Sequence, residues 1–131
     1  MKAKRTIFVV EDDDGAAKLL KARLENAGFE VIRENRGLAA VNFLLTRRPD
    51  LIILDIKLPD FNGFQLCQRV RRLHGVQLPI LILTGLDQPA DQMTGFEQGA
   101  DAYLTKPYQS QELLKTIHLL LEQKESLFEH A

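Results

Sequence analysis

Short apolar runs alternate along the chain with stretches in which apolar residues recur every three or four positions. The first pattern predicts buried β-strands, and the second predicts amphipathic helices. The predicted strands cover residues 6–10, 30–34, 51–54, 79–83 and 102–105. The predicted helices cover residues 14–28, 38–48, 63–75 and 90–98, and a last helix begins near residue 110. This order of strand and helix predicts one α/β domain with a parallel sheet and helices on both faces.

The boundaries and the polarity of these segments refine the prediction. Asp14 is a suitable N-cap for the first helix, and Gly28 is a suitable end. The second helix should end before Pro49, because the residue before a proline avoids helical geometry. The first, third and fourth strands are almost entirely apolar and should be central, whereas the more polar second strand should lie at an edge.

Composition limits the classes of function. The 131 residues include 45% hydrophobic and 27% charged residues, which is ordinary for one globular domain. Seventeen basic and eighteen acidic residues give a net charge of -1, so we expect no direct nucleic-acid or membrane partner. The single cysteine, Cys67, excludes an internal disulfide and is consistent with a reducing cytoplasm. The apolar segments are too short for a signal peptide or a membrane span. The predicted location is cytoplasmic.

Polar residues with complementary chemistry follow four of the strands. Glu11 and Asp12 follow the first strand, Asp55 the third, Thr84 ends the fourth, and Lys106 follows the fifth. In a parallel sheet these positions converge at one edge, where such folds bind ligands. Three close carboxylates require a cation, and Mg²⁺ fits an all-oxygen site. A carboxylate beside Mg²⁺, a lysine and a hydroxyl can attack phosphorus and hold an acyl phosphate.

An alternative explanation exists for each of these residues taken alone. Acids after a strand are often N-caps or solvated loop residues, and a Lys-Pro pair after a strand is usually a turn. The coincidence at four strand ends favours a functional site.

The same residues carry a family resemblance. Residues 9–13, 55–59 through Gly63, 83–85 and 99–107 resemble the motifs of the receiver domain of two-component response regulators. The resemblance covers about residues 5–123, and we assign residues 1–123 to the receiver domain. Residues 124–131 would extend the last helix or begin a linker. The resemblance implies a flavodoxin-like, doubly wound sheet of five parallel strands in the order 2-1-3-4-5, with five helices.

The resemblance also implies roles for individual residues. Asp55 would accept a phosphoryl group from the phosphohistidine of a histidine kinase or a histidine phosphotransfer protein. Asp12, Asp55 and the Lys57 carbonyl would bind Mg²⁺ directly, and Glu11 would bind it mostly through water. Thr84 would bind the phosphoryl group together with Lys106. The protein would then be a signalling switch that catalyses its own phosphotransfer and autodephosphorylation, rather than an enzyme with a separate substrate.

Further implied roles concern loop geometry and output. Gly63 and a cis bond before Pro107 would set the geometry of two loops at the site. On phosphorylation Thr84 would move and Tyr103 would turn inward, which would remodel the face formed by the fourth helix, the fifth strand and the last helix. The alternative for Tyr103 is a half-buried aromatic ring with its hydroxyl in solvent.

The resemblance implies that two residues border the path of the water that would hydrolyse the acyl phosphate. They are Lys57, two residues after Asp55, and Leu86, two residues after Thr84. Our hypothesis is that Leu86 obstructs this path and slows hydrolysis. The alternative is that Leu86 only packs on the surface.

The sequence departs from the DNA-binding winged-helix subfamily. A basic residue near Thr94 and an acid at Ala102 are typical there, and both charges are missing, which argues against that subfamily's ionic dimer. The last helix instead carries apolar positions that could form a homodimer seam beside the row that packs on the sheet. The row consists of Leu114, Ile117, Leu121, Lys124 and Phe128, of which only Lys124 is polar, next to Leu113 and Leu120.

Other residues are predicted to have no special role. Cys67 should be a small buried hydrophobic residue, and His118 should face solvent. Arg69, Arg71 and Arg72 should form a solvated helix face.

Alternatives of function remain open. A phosphatase of the haloacid dehalogenase type also uses a strand-end Asp and Mg²⁺, but it expects an acid where Lys57 stands. A degenerate receiver would work without phosphorylation. A receiver could also act alone on a downstream protein, or be part of a larger regulator with a fused output domain.

Overall fold

The computed structural model describes the backbone of residues 4–129 and the side chains of residues 4–125. One sheet of five parallel strands has the order β2-β1-β3-β4-β5. The strands are β1 (Thr6–Val10), β2 (Glu30–Glu34), β3 (Leu51–Leu54), β4 (Ile80–Thr84) and β5 (Ala102–Thr105). The helices are α1 (Asp14–Asn26), α2 (Gly37–Thr46), α3 (Gly63–His74), α4 (Pro89–Glu97) and α5 (Ser110–Glu129). The predicted flavodoxin-like fold and strand order are confirmed. Within the described residues, no helix has the length and apolar character needed to cross a bilayer.

The sheet divides the hydrophobic core into two layers. Alternate residues of each central strand point to opposite faces, so Phe8 and Val10 pack towards α2 and α3 while Ile7 and Val9 pack towards α1 and α5. Strands β1, β3 and β4 are buried almost throughout, and β2 and β5 are the partly exposed edges. Cys67 is fully buried in the α2–α3 layer, and burial raises the pKa of its thiol to about 12.

The start of α1 differs from the prediction by one residue. The N-cap is Asp13, whose side chain accepts a hydrogen bond from Ala16 N at 2.7 Å. Asp14 is the first helical residue, and its carboxylate pairs with Arg33 at 2.9 Å. The prediction that Asp14 caps the helix was therefore wrong. Two adjacent aspartates are equally good caps in sequence, and the hydrogen bond from Ala16 N distinguishes them in the structure.

The last helix packs on its own domain along the part whose side chains are described. Leu113, Ile117, Leu120 and Leu121 are buried in the α1–α5 layer, and Leu114 is partly buried against it. Both rows that the sequence offered for a sheet contact and a dimer seam are therefore used within the molecule. Phe128 lies outside the residues with described side chains. The described part of α5 gives the seam no support.

Arg71 does not lie on a solvated face, so that prediction was wrong. Its guanidinium donates hydrogen bonds to the carbonyls of Gly99, Gly75 and Leu78 at 2.6–2.9 Å. It also pairs with Asp101 at 2.7 Å. Arg69 and Arg72 are exposed as predicted, and so is His118. Helical spacing alone cannot separate these arginines, because two acceptors of Arg71, on Gly99 and Asp101, come from a segment remote in sequence.

Candidate functional site

The register of the central strands brings the predicted site residues to one edge. Val10 lies beside Leu54, and the amide of Asp55 donates to the Val10 carbonyl at 3.0 Å. On the other side the amide of Lys106 donates to the Thr84 carbonyl at 2.7 Å. The ends of four neighbouring strands are thus held level by backbone hydrogen bonds.

Lys106 joins the two buried acids at this edge. Its Nζ lies 2.5 Å from Glu11 Oε1 and 3.0 Å from Asp55 Oδ2. Among the described residues, the buried polar ones are Glu11, Asp55 and Thr84, with exposed fractions of 4%, 8% and 0%. All three lie here, so polarity inside this otherwise apolar core is concentrated at one place. Asp12, in contrast, is exposed.

The two acids respond differently to their surroundings. Burial raises the pKa of Glu11, and the contact with Lys106 offsets this only in part. Burial also opposes ionisation of Asp55, but hydrogen bonding with Thr84 and Lys106 outweighs it and holds the pKa of Asp55 below its ordinary value. Burial would lower the pKa of Lys106, but its two carboxylate partners raise it. The stable arrangement at neutral pH is an ionised Asp55 beside a protonated lysine.

The donor set fits a hard divalent cation such as Mg²⁺. Glu11 Oε2 is buried and has no hydrogen-bond partner, which is costly for a carboxylate oxygen unless a cation or water binds it. Asp55 Oδ2 and the exposed carboxylate of Asp12 would supply further oxygens. No group of three acidic, histidine or cysteine side chains in the described part of the chain is already gathered as a metal cluster. Lys106 holds the two buried acids instead.

The loop after Asp55 is closed tightly over the site. The Lys57 amide donates to Asp55 Oδ1 at 3.1 Å, and the Gly63 amide donates to the Ile56 carbonyl at 2.9 Å. A Cβ added to Gly63 would lie 2.5 Å from Ile56 Cα and 2.6 Å from the Asp55 carbonyl oxygen. Only glycine, which has no Cβ, allows the two backbone segments to lie this close together. The Lys106–Pro107 bond in the opposite loop is cis, as the resemblance implies.

Asp60 is a residue of this loop that the sequence analysis missed. Its carboxylate accepts hydrogen bonds from the amides of Gly37 and Leu38 at 2.8 and 3.1 Å. These bonds lower the pKa of Asp60 and anchor the loop to the start of α2. The motif around Pro59 suggested a turn, but nothing in the sequence links it to a helix that begins at residue 37.

Tyr103 is tied to the loop between β4 and α4. Its hydroxyl donates to the Leu86 carbonyl at 2.7 Å, and its ring lies against Gly95 of α4. Burial raises the pKa of this phenol to about 12, so the hydroxyl remains a donor at neutral pH. The alternative of a hydroxyl in solvent does not describe this structure. The Leu86 amide in turn lies 3.5 Å from Thr84 Oγ1, which links Tyr103 to the site.

Known proteins with similar sequences are response regulators. A family model described as the response regulator receiver domain matches residues 7–118. The chain is 38% identical over 122 residues to the DNA-binding dual master transcriptional regulator RpaA of Synechocystis, and 38% identical over 118 residues to the transcriptional regulatory protein CreB of Escherichia coli. These alignments cover 92% and 90% of this chain but 51% of each relative. The chain thus spans about half the length of the curated relatives it matches.

Solved structures show the same likeness. A CheY-like response regulator receiver domain from Methanospirillum hungatei superposes with a TM-score of 0.89 at 27% identity, covering 95% of this chain and 98% of that one. The signal receiver domain of a histidine kinase from Syntrophus aciditrophicus gives 0.82 at 35% identity, covering 91% of both chains. Similar domains therefore occur in a kinase as well as in separate regulators.

Proposed function

Because the chain belongs to the family of response regulator receiver domains, we propose that it accepts a phosphoryl group on Asp55 and acts as a signalling switch. The observation that carries the proposal is the buried pair of acids, Glu11 and Asp55, bridged by Lys106 at the carboxyl edge of the sheet. Such a site is costly to bury and has no structural need in an apolar core. Such a site suits a carboxylate, here Asp55, that gains negative charge when it accepts a phosphoryl group.

The chemistry is an in-line transfer from a phosphohistidine. Asp55 Oδ attacks phosphorus as the P–N bond to the donor imidazole breaks, and the imidazole leaves with its electron pair and takes up a proton. The pKa of Asp55 below its usual range keeps the nucleophile ionised. Lys106 and the Thr84 hydroxyl would offset negative charge on the phosphoryl oxygens.

Mg²⁺ would be held by Asp12, Asp55 and the Lys57 carbonyl, with Glu11 acting mostly through water. When bound, the ion neutralises the crowded carboxylates and the incoming phosphoryl oxygens. The partnerless Glu11 Oε2 supports this assignment.

The switch surface is proposed to be the face of α4, β5 and α5. Tyr103 connects this face to Thr84 through Leu86, so movement of Thr84 would be transmitted to α4. Met93 and Phe96 of α4 are large apolar side chains that are about half exposed or more, at 64% and 49%. Exposed apolar residues of this kind suit a surface that exchanges protein partners.

The partners follow from the chemistry and from the relatives. The donor would be a cytoplasmic histidine kinase or histidine phosphotransfer protein. The response would pass to a separate effector or to a fused output domain, as the greater length of the transcriptional regulators suggests.

Incubation with acetyl phosphate and Mg²⁺, followed by intact mass spectrometry, tests the proposal. We expect an adduct of about 80 Da, the mass added by one phosphoryl group, which Asp55→Asn abolishes. Asp87→Asn is the matched control, because Asp87 is exposed and outside the site. Phosphate release without an adduct would favour the phosphatase alternative. No adduct and no turnover would indicate a degenerate receiver.

We also infer that Leu86 slows hydrolysis of the acyl phosphate. The Leu86 side chain is partly buried against the α2–α3 layer, and its backbone contacts Thr84 and Tyr103, so it is not free in solvent. Leu86→Asn should accelerate loss of the adduct after removal of acetyl phosphate. An unchanged rate would mean that Leu86 only packs.

A further inference from the structure

A crevice of about 280 Å³ opens between α1 and the loop that joins β5 to α5. Its floor is the α1 face of the sheet, formed by Val9, Ile53 and Leu83. Protein interiors are close-packed and contain few voids larger than a water molecule. A dry apolar cavity of about 150 Å³ already accepts benzene. The crevice therefore has room for a molecule of one or two fused rings.

One wall of the crevice is formed by side chains of α1. Leu19 is 51% exposed and lines the crevice together with Leu20. Pro107 and Tyr108 form the opposite wall. The contact between these two walls is incomplete, which leaves apolar surface of the sheet open to a small ligand.

The two ends of the crevice carry different charge. One end meets Glu11, Asp55 and Lys106, where two carboxylates outnumber one ammonium group. Arg23 lies two turns further along α1 than Ala16, which is about 10 Å at 1.5 Å per residue. The Arg23 guanidinium carbon is 5.3 Å from the centre of the Tyr108 ring. Among the ion pairs of residues 4–125, none involves Arg23.

We propose that this crevice binds a small aromatic carboxylate, with its ring over the floor and its carboxylate on Arg23. The orientation follows from charge, because Glu11, Asp55 and Lys106 together leave one excess negative charge at one end, while Arg23 attracts an anion at the other. The ring would then lie beside Asp55 and Lys106 and hinder a phosphoryl donor. The binding site goes beyond the proposed phosphorylation and does not require it.

The test uses indole-3-acetate as the probe and its neutral analogue indole-3-acetamide as the comparison. Each is titrated into the ¹⁵N-labelled full chain, without phosphoryl donor, while backbone amide shifts are followed. We expect shifts in α1 and in the loop at Tyr108. We also expect about 5-fold tighter binding of the carboxylate, which equals roughly 1 kcal/mol, the upper end for one solvent-exposed ion pair.

Three variants locate the probe. Arg23→Gln should make the two probes bind equally, and Ala16→Leu should weaken both by filling the crevice. Lys21→Gln is the matched control, because Lys21 is exposed on the same helix and does not line the crevice. Thermal unfolding checks that each variant folds. Arg23→Gln alters a side chain that is not fully buried, so it remains informative if Ala16→Leu does not fold.

Several results would overturn the proposal. They are the absence of shifts near the crevice, equal affinity for both probes in the unaltered protein, or affinity that Arg23→Gln leaves unchanged. If neither probe binds but Arg23→Gln slows transfer from a phosphohistidine protein and not from acetyl phosphate, the crevice contacts a protein instead. Binding is measured without phosphorylation, so failure of this proposal is distinguishable from failure of the proposed function.

Discussion

At the scale of single residues, the site buries two carboxyl groups, and burial opposes the ionisation of both. Glu11 and Asp55 are both buried and share one lysine, yet only Asp55 gains enough hydrogen bonding to favour its ionised form. The remaining oxygen of Glu11 has no partner. Glu11 is therefore the residue at which the site costs stability.

The pKa of Glu11 gives a prediction about stability and pH. Because its folded pKa is raised above 4.5, the ionised side chain costs folding free energy at pH 7, and this cost disappears as the pH falls below 4.5. Glu11→Gln should increase the free energy of unfolding in urea at pH 7 without added Mg²⁺, and the gain should shrink towards pH 4. Glu25→Gln, at an exposed position, should change little. A loss of stability at pH 7 would contradict the prediction.

Tyr103 gives a second prediction at this scale. Tyr103→Phe removes the hydrogen bond to the Leu86 carbonyl and should cost about 0.5–1.5 kcal/mol in the free energy of unfolding. Tyr108→Phe is the matched control, since no hydrogen bond of the Tyr108 hydroxyl is found among the described residues. Equal effects of the two changes would show that the Tyr103 bond contributes nothing.

At the scale of elements, the loops after the strands are built to hold the site rigid. The loop after β3 is anchored twice, by Asp60 on the start of α2 and by Gly63 against the backbone of Ile56. The loop after β4 is anchored by Tyr103. Asp60 and Gly63 tie the first loop to α2 and α3, whereas Tyr103 ties the second to β5 and contacts Gly95 of α4. The positions of these elements and of the site residues therefore depend on each other.

Gly63 gives a prediction for the first of these loops. Gly63→Ala places a Cβ 2.5 Å from Ile56 Cα and should lower the free energy of unfolding by about 1–3 kcal/mol. It should also slow phosphorylation by acetyl phosphate, because the Asp55 backbone must shift. Gly85→Ala is the control for stability, because a Cβ there meets nothing within 4 Å. If Gly63→Ala were as stable as Gly85→Ala, the close approach would be wrong.

At the scale of the whole molecule, Arg71 and Asp101 connect segments at the end of the sheet opposite the site. Arg71 joins the end of α3 to the turn before β5. Asp101 also accepts a hydrogen bond from the Ile80 amide and forms an ion pair with Lys124 of α5. Four segments thus meet at one ion pair whose side chains are mostly buried.

Replacing Arg71 tests this connection. Arg71→Gln removes the guanidinium donor from three carbonyls and from Asp101, which keeps the Ile80 amide and Lys124. It should lower the free energy of unfolding by about 2–3 kcal/mol. Arg72→Gln removes an exposed arginine from the same helix and should have little effect. Chemical denaturation of both variants measures the difference, and similar values would place Arg71 on the solvated face after all.

The sequence by itself determined the fold class, the strands and the edge at which the site lies. The repeat of apolar residues in a strand or helix depends only on neighbouring residues in the sequence. Parallel strands bring their carboxyl ends to one edge of the sheet in any strand order. The grouping of Glu11, Asp55, Thr84 and Lys106 therefore follows from the order of the residues along the chain. The strand order came from the motifs, because alternation alone allows several orders.

Tertiary structure decided what depends on contacts between distant segments. It selected Asp13 over Asp14 as the cap of α1, and it placed Arg71 among carbonyls rather than in solvent. It also used both apolar rows in the described part of α5 for the core. Hydrogen-bond partners and the filling of space are set by packing in three dimensions, and a one-dimensional pattern of polarity does not specify them.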